Sequence, residues 1–267
     1  MIFWSLFSHH LCIAFILIFV TWILYLKTRN MSVIDITWAI GFSCYILYDF
    51  FYIVTVIASK HIDALIIAYS FASITIFIWS LRLALFLYFT RIKKNHLDQR
   101  YERIKSNWKS PSSFKVLYNY CIQGALQVCI SCAFIPLVYT TAILPLHILP
   151  LALAFIAIFG EALADFQLLK FKKTAASNAI CTSGLWKFSR HPNYFFDILY
   201  WFSIALYTYV ITKTIFVFLA PVLLYIIMRF VTGRISEKLS LEKKGASFKM
   251  YQESTYMIFP KFFSRNN

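Results

Sequence analysis

Glycine is scarce in this chain, six residues in 267, and none falls in a G-x-G-x-x-G or G-x-x-x-x-G-K-[ST] run. That excludes a Rossmann fingerprint and a P-loop, so any nucleotide has to be held in another way. Charge is scarce as well, at 14% of residues, where a soluble domain carries about a quarter. With 60% hydrophobic residues and a mean hydropathy of +0.68, the chain reads as a membrane protein. The six cysteines are scattered, and only Cys129 and Cys132 form a C-x-x-C. It lies in an apolar run without a second pair or a nearby histidine, which favours small packing residues over a metal site.

What the chain does have is long apolar runs. A hydrocarbon core of about 30 Å takes about 20 helical residues to cross. Seven segments qualify, at about 3–26, 33–59, 63–89, 114–139, 143–168, 195–212 and 214–232. The fold expected is an all-α polytopic transmembrane helix bundle, treated as one domain because no repeat, low-complexity tract or linker divides it. The first run lacks the basic start and small-residue cleavage site of a signal peptide, so it counts as a span.

The net charge of +15 is distributed unevenly. Apart from Lys60, Lys213 and Arg82, every one of the 26 Lys and Arg falls on the loops at 27–32, 90–113 and 169–194, on the C-terminal tail, or on adjoining helix ends. By the positive-inside rule those segments face the cytoplasm, which gives an N-out, C-in orientation. Such a face suits anionic lipid headgroups and also a phosphate-bearing cofactor. No basic soluble module points to nucleic acid, and no obligate protein partner is evident.

Ionisable groups within spans are costly and are functional candidates by default. Here they are Asp35, Asp49, Arg82, His147, Glu161, Asp165 and Asp197, of which Asp49 and His147 have no motif around them. Glu161 and Asp165 share a helix face in FGEALADFQLLKFKK, close to the lysines that mark the cytoplasmic exit. The stretch SGLWKFSRHPNYFFDILYW, 183–201, offers Gly184 for a turn and Pro192 for the first turn of a helix. Ser189, Arg190 and His191 would then cluster at a helix N-terminus, where free N–H groups favour an anion such as phosphate. Asn193, Tyr194 and Asp197 follow on the first turns, with donors and acceptors suited to an amide, a ribose or a ring nitrogen.

Together with RNMSVIDITWAIGF at 29–42, WSLRLALFLYFTR at 79–91, LDQRY at 97–101 and a tail from Tyr251 to Pro260 that runs into FPKF, these pieces resemble the steroid 5-alpha-reductase-like family. The likeness covers most of the chain and lies with the bacterial branch of membrane proteins holding a domain of unknown function. It implies seven helices, the cofactor NADPH held toward the cytoplasm (of the bacterial inner membrane, for a bacterial protein) by the half from about 114 to 267, and a place in lipid metabolism. The implied activity is an oxidoreductase that saturates a carbon–carbon double bond conjugated to a ketone in a lipophilic, steroid- or isoprenoid-like enone. Residue by residue, it makes Asp165, Asn193, Tyr194 and Asp197 cofactor contacts supported by Arg190 and His191, with Lys172, or alternatively Lys170, for the phosphates and Tyr251 from the tail.

The chain departs from the steroid reductases at the substrate end, because no Gln-Glu dipeptide lies near its second helix. Asp35, in N-x-S-x-x-D-x-x-W, and Arg82 are the candidate catalytic replacements. A desolvated Asp35 that kept its proton could donate to the carbonyl oxygen; an Asp35–Arg82 structural pair is the alternative. Two rival functions stand beside the reductase. The R-H-P-x-Y motif and the tail also resemble membrane methyltransferases of the isoprenylcysteine carboxyl methyltransferase type, in which S-adenosylmethionine would place its sulfonium near Glu237 or Glu242. A non-catalytic lipid-binding membrane protein would have the same fold.

Overall fold

The computed structural model describes residues 2–57, 61–94, 97–110, 112–176 and 178–260. Lys60, and Lys261 and Phe262 of the FPKF tail, lie outside them. The described residues form helices and loops, with no strand among them. The helices are α1 Ile2–Thr28, α2 Val33–Val56, α3 Ile62–Leu87, α4 Gln99–Ser106, α5 Ser113–Ser131, α6 Leu149–Thr174, α7 Pro192–Thr212, α8 Leu219–Ile226, α9 Gly233–Lys244 and α10 Ala246–Ser254. π-helical turns at Tyr88–Ile92 and Ile227–Thr232 extend α3 and join α8 to α9.

Seven of the resulting rods are long and apolar enough to cross a membrane: 2–28, 33–56, 62–92, 113–139, 145–174, 192–212 and 215–244. The protein is therefore multi-pass, in contact with membrane lipids. The seven spans read from the sequence all have a helical counterpart. The largest difference is the last, which continues helically to Lys244 rather than stopping near 232. Hydropathy falls at Arg234, but the Glu, Lys and Leu that follow are strong helix formers, so the helix outlasts the apolar run.

The chain divides into two compact units, one of residues 1–151 and 203–220, the other of 152–202 and 221–267. In the first unit α2 packs along α3, and α1 packs on α2 and α5. Aromatic side chains fill its core: Phe42 meets Trp79 edge-on at 5.8 Å and Tyr45 at 6.1 Å. Polar side chains tie the helices where the interior offers no water. Ser80 Oγ donates to the Ala39 carbonyl at 2.7 Å, and Gln127 Nε2 to that of Trp38 at 2.7 Å, while Tyr45 donates to Gln127 Oε1 at 3.0 Å. Asp98 caps α4 by accepting from the Arg100 amide at 2.9 Å.

The second unit contains most of α6, the first half of α7, the rod α8–α9, and α10 with the tail. Gly160 on α6 lets α7 approach closely: a Cβ there would sit 2.3 Å from the Phe196 ring. The chain breaks helix after α9 at Gly245 and runs through α10 into the irregular residues that follow Ser254.

Candidate functional site

The loop before α7 begins at Gly184, whose φ of +59° is costly for any residue with a Cβ. The turn sets the Leu185 amide on Gln167 Oε1 at 2.9 Å and the Trp186 indole on the Ala164 carbonyl at 3.0 Å, fixing the loop against α6. From the other side, the buried Tyr251 hydroxyl donates to the carbonyls of Trp186 and Ser189. Burial, and to a lesser extent the neighbouring Cys181, push that hydroxyl well above its usual value, so it stays a neutral donor. Ser189 Oγ reaches the Ile258 carbonyl at 2.7 Å.

Arg190 is fully engaged within the protein. Its Nε and Nη2 donate to Glu237 at 2.6 and 2.8 Å, and Nη1 donates to the carbonyls of Gln252, at 3.0 Å, and Thr255. His191 Nε2 lies 3.2 Å from the same carboxylate, and Gln252 Nε2 donates to it at 2.8 Å. The backbone amides of Arg190 and His191, expected from the sequence to face an anion, donate instead to Tyr256 and Met257 at 2.9 Å each. The physical reason is the tail. Tyr256 and Met257 present carbonyls to these amides, a pairing that sequence spacing cannot show. Arg190 and Tyr251 are thus positioning residues for the loop and tail.

Pro192 opens α7, as its fixed φ and missing N–H favour. On the turns that follow, the sequence-predicted polar residues do come together. Asn193 Nδ2 donates to Asp165 Oδ1 at 3.3 Å, joining α7 to α6. Asn193 Oδ1 is shielded from solvent and has no hydrogen-bond partner among the described residues. Glu161, Asp165 and Asp197 are all buried. His191 and Tyr194 stack face to face, with ring centroids 4.8 Å apart and planes at 11°. Lys172 stands exposed near the end of α6, and its charge, with that of Lys243, acts on Lys244.

The first unit carries the other predicted pair. Asp35, on the first turn of α2, accepts from Arg91, from Arg100 Nη2 at 3.3 Å, and from the Tyr101 hydroxyl. All its partners are donors, whereas a substrate-polarising acid must itself donate. Asp98 closes the network through Arg100, at 2.7 Å, and Arg91, at 3.3 Å. Burial alone would raise the Asp98 carboxyl, but Arg100 and then Arg91 outweigh it and hold it well below the usual carboxylate range. Burial and the facing Asp35 push the Tyr101 hydroxyl up. Asp35 therefore pairs with the 91–101 segment, and Arg82 lies in mid-α3 with Nε and Nη2 shielded from solvent. Arg91, Tyr101, Gln252 and Thr255 were not singled out from the sequence. The quoted pieces WSLRLALFLYFTR, LDQRY and Tyr251 to Pro260 nevertheless contain them.

Comparison with curated proteins and with solved structures finds no match in either. A family model does match, over residues 21–255, nearly the whole of both units, and the chain belongs to the family it describes, protein of unknown function (DUF1295).

Proposed function

We propose that this protein is a membrane-embedded reductase that uses NADPH to saturate a double bond conjugated to a ketone in a lipophilic substrate, as the likeness to steroid 5-alpha-reductase-like proteins implies. The observation that carries this reading is the Asn193–Asp165 pair. Asn193 spends its amide N–H on Asp165 and leaves a buried carbonyl oxygen in need of a donor. A carboxamide N–H or a ribose hydroxyl supplies one, and a nicotinamide nucleotide has both.

In this role Asp165 orients Asn193, and Asp197, one turn further along α7 on the same face, offers further acceptor atoms. The His191–Tyr194 stack gives a flat aromatic wall. Lys172, with Lys243 and Lys244, provides the positive charge for phosphates, while Arg190 and Tyr251 hold the loop that carries His191 and Asn193. The cofactor, when bound, supplies hydride. The protein's part is to bind and orient it, to exclude water, and to place a donor at the ketone oxygen, where negative charge develops. Of the two candidates for that donor, Asp35 already accepts from three donors. The cytoplasmic orientation of the basic segments brings the site to the aqueous cofactor pool.

The methyltransferase reading depends on an acid near the sulfonium. Glu237 is already neutralised by Arg190 and hydrogen-bonded to His191 and Gln252, which leaves Glu242 to that reading. The test is thermal stabilisation of the purified protein in nanodiscs by NADPH, NADH and S-adenosylmethionine, in wild type and Asn193→Ala, since a ligand bound by the native state raises stability by mass action. Stabilisation by NADPH that is lost in the variant is expected. Stabilisation by S-adenosylmethionine alone would replace the reductase with the methyltransferase, and no response to any of the three would favour a non-catalytic lipid-binding protein.

A further inference from the structure

Three polar side chains in the first unit have no part in the site above. His10 on α1, Asp49 on α2 and Ser131 at the end of α5 are each 0% exposed. His10 Nδ1 lies 2.8 Å from Ser131 Oγ, and Nε2 lies 2.9 Å from Asp49 Oδ1. The imidazole is clamped flat against Tyr45, 4.6 Å between centroids and 18° between planes.

The proton count follows from the geometry. Ser131 Oγ lies 2.7 Å from the Val128 carbonyl; sending its one hydroxyl proton to His10 Nδ1 instead would leave the pair with a single proton and a buried negative charge, which the apolar surroundings oppose. Toward His10, Ser131 is then an acceptor, so Nδ1 must carry hydrogen. A further proton must lie between Nε2 and Asp49 Oδ1, because two acceptors do not bond to each other. The pair therefore holds two protons and is neutral overall. Asp49 Oδ2 supports this count, for it is shielded from solvent and has no hydrogen-bond partner among the described residues. A carboxylate charge left there uncompensated would be costly.

We propose that His10 and Asp49 form a proton-binding site within the apolar helices of the first unit, with Ser131 fixing the imidazole, and that occupancy of the site couples the packing of α1, α2 and α5 to pH. Release of the shared proton leaves one negative charge with neither solvent nor a cation to meet it. The titratable groups facing the pair are His9 on α1, Tyr45 and Tyr48 on α2, Tyr69 on α3 and Cys132 beside Ser131. None of these is a lysine or arginine, so among the described residues no fixed cation takes over from the proton.

The test is thermal unfolding of the full chain in nanodiscs across neutral to alkaline pH. An unfolded histidine gives up its second proton near about pH 6.5. Above that value the folded state holds one proton more than the unfolded, so stability must fall as pH rises, by about tenfold in the folding equilibrium per pH unit, until the site itself empties. Asp49→Asn keeps the shape and donates a permanent amide hydrogen to Nε2, so it is expected to fold and to lose that slope. A wild type with flat stability over this range, or an Asp49→Asn variant that keeps the full slope, would overturn the proposal. A second measurement does not depend on the variant folding. Ring nitrogen-15 NMR of the wild type, with the signal assigned by its absence in His10→Gln, is expected to show hydrogen on Nδ1 at neutral pH, and a bare Nδ1 would refute the site.

Discussion

Arg190 and Glu237, 47 residues apart in sequence, form a two-pronged ion pair with N–O distances of 2.6 and 2.8 Å and side chains only 10% and 11% exposed. The same guanidinium reaches two carbonyls near the end of α10, so one side chain joins the loop before α7, helix α9 and the tail.

Removing one member of a buried pair strands the other charge. Glu237→Ala is expected to cost about 3–5 kcal/mol in unfolding free energy, and Arg190→Ala a similar amount. The double variant should cost clearly less than their sum. Denaturant unfolding of the four proteins in detergent measures this, and strict additivity would remove the pair from the account. Arg190→Lys should not restore stability, because an ammonium lacks the fork that meets both carboxylate oxygens.

Gly160 marks a close approach of α6 and α7 in the second unit. A methyl group there would overlap the Phe196 ring, with three ring carbons between 2.3 and 2.5 Å. Gly160→Ala is expected to destabilise by about 1–3 kcal/mol, and Phe196→Leu in the same chain to recover part of that loss. A Gly160→Ala variant as stable as the wild type would show that the ring moves aside without cost.

Asp165 holds Asn193 through one hydrogen bond to a charged group. Such bonds contribute about 1.5–3 kcal/mol, so Asp165→Asn should weaken NADPH binding by roughly 10- to 100-fold while the protein still folds. Titrating the thermal shift against NADPH gives both quantities, and unchanged affinity would separate Asp165 from the cofactor.

The Asp98 carboxyl is held low by Arg100 and Arg91. For a group depressed in the folded state, the stabilisation is complete above its unfolded value, about 3.9, and is lost as pH falls through the folded value. Acidification below about pH 4 should therefore loosen the 91–101 segment from Asp35, and Asp98→Asn should abolish that part of the acid response. Tryptophan fluorescence of Trp108, just beyond α4, recorded against pH with and without the substitution, follows the change.

Much of the site was legible because its residues are neighbours in sequence. SRHPNY places Asn193 and Tyr194 on the first turns of α7 whatever the rest of the chain does, and the four-residue spacing of Glu161 and Asp165 fixes their common face. Asp35 illustrates the limit. Its position on α2 was clear, but its partners sit 56 to 66 residues away on a segment whose arrangement depends on the fold.

The sequence by itself determined the number of membrane-length helices, the basic segments between them, and the short-range polar motif at the head of α7, because hydropathy and helical periodicity are local properties. The tertiary structure decided which charges are spent inside the protein. Arg190, Tyr251 and Asp35 carry groups that suit a ligand or a substrate, yet each is satisfied by partners brought from far along the chain. Asn193, whose carbonyl oxygen is left buried without a donor, is where the same packing keeps a polar group for something else to meet.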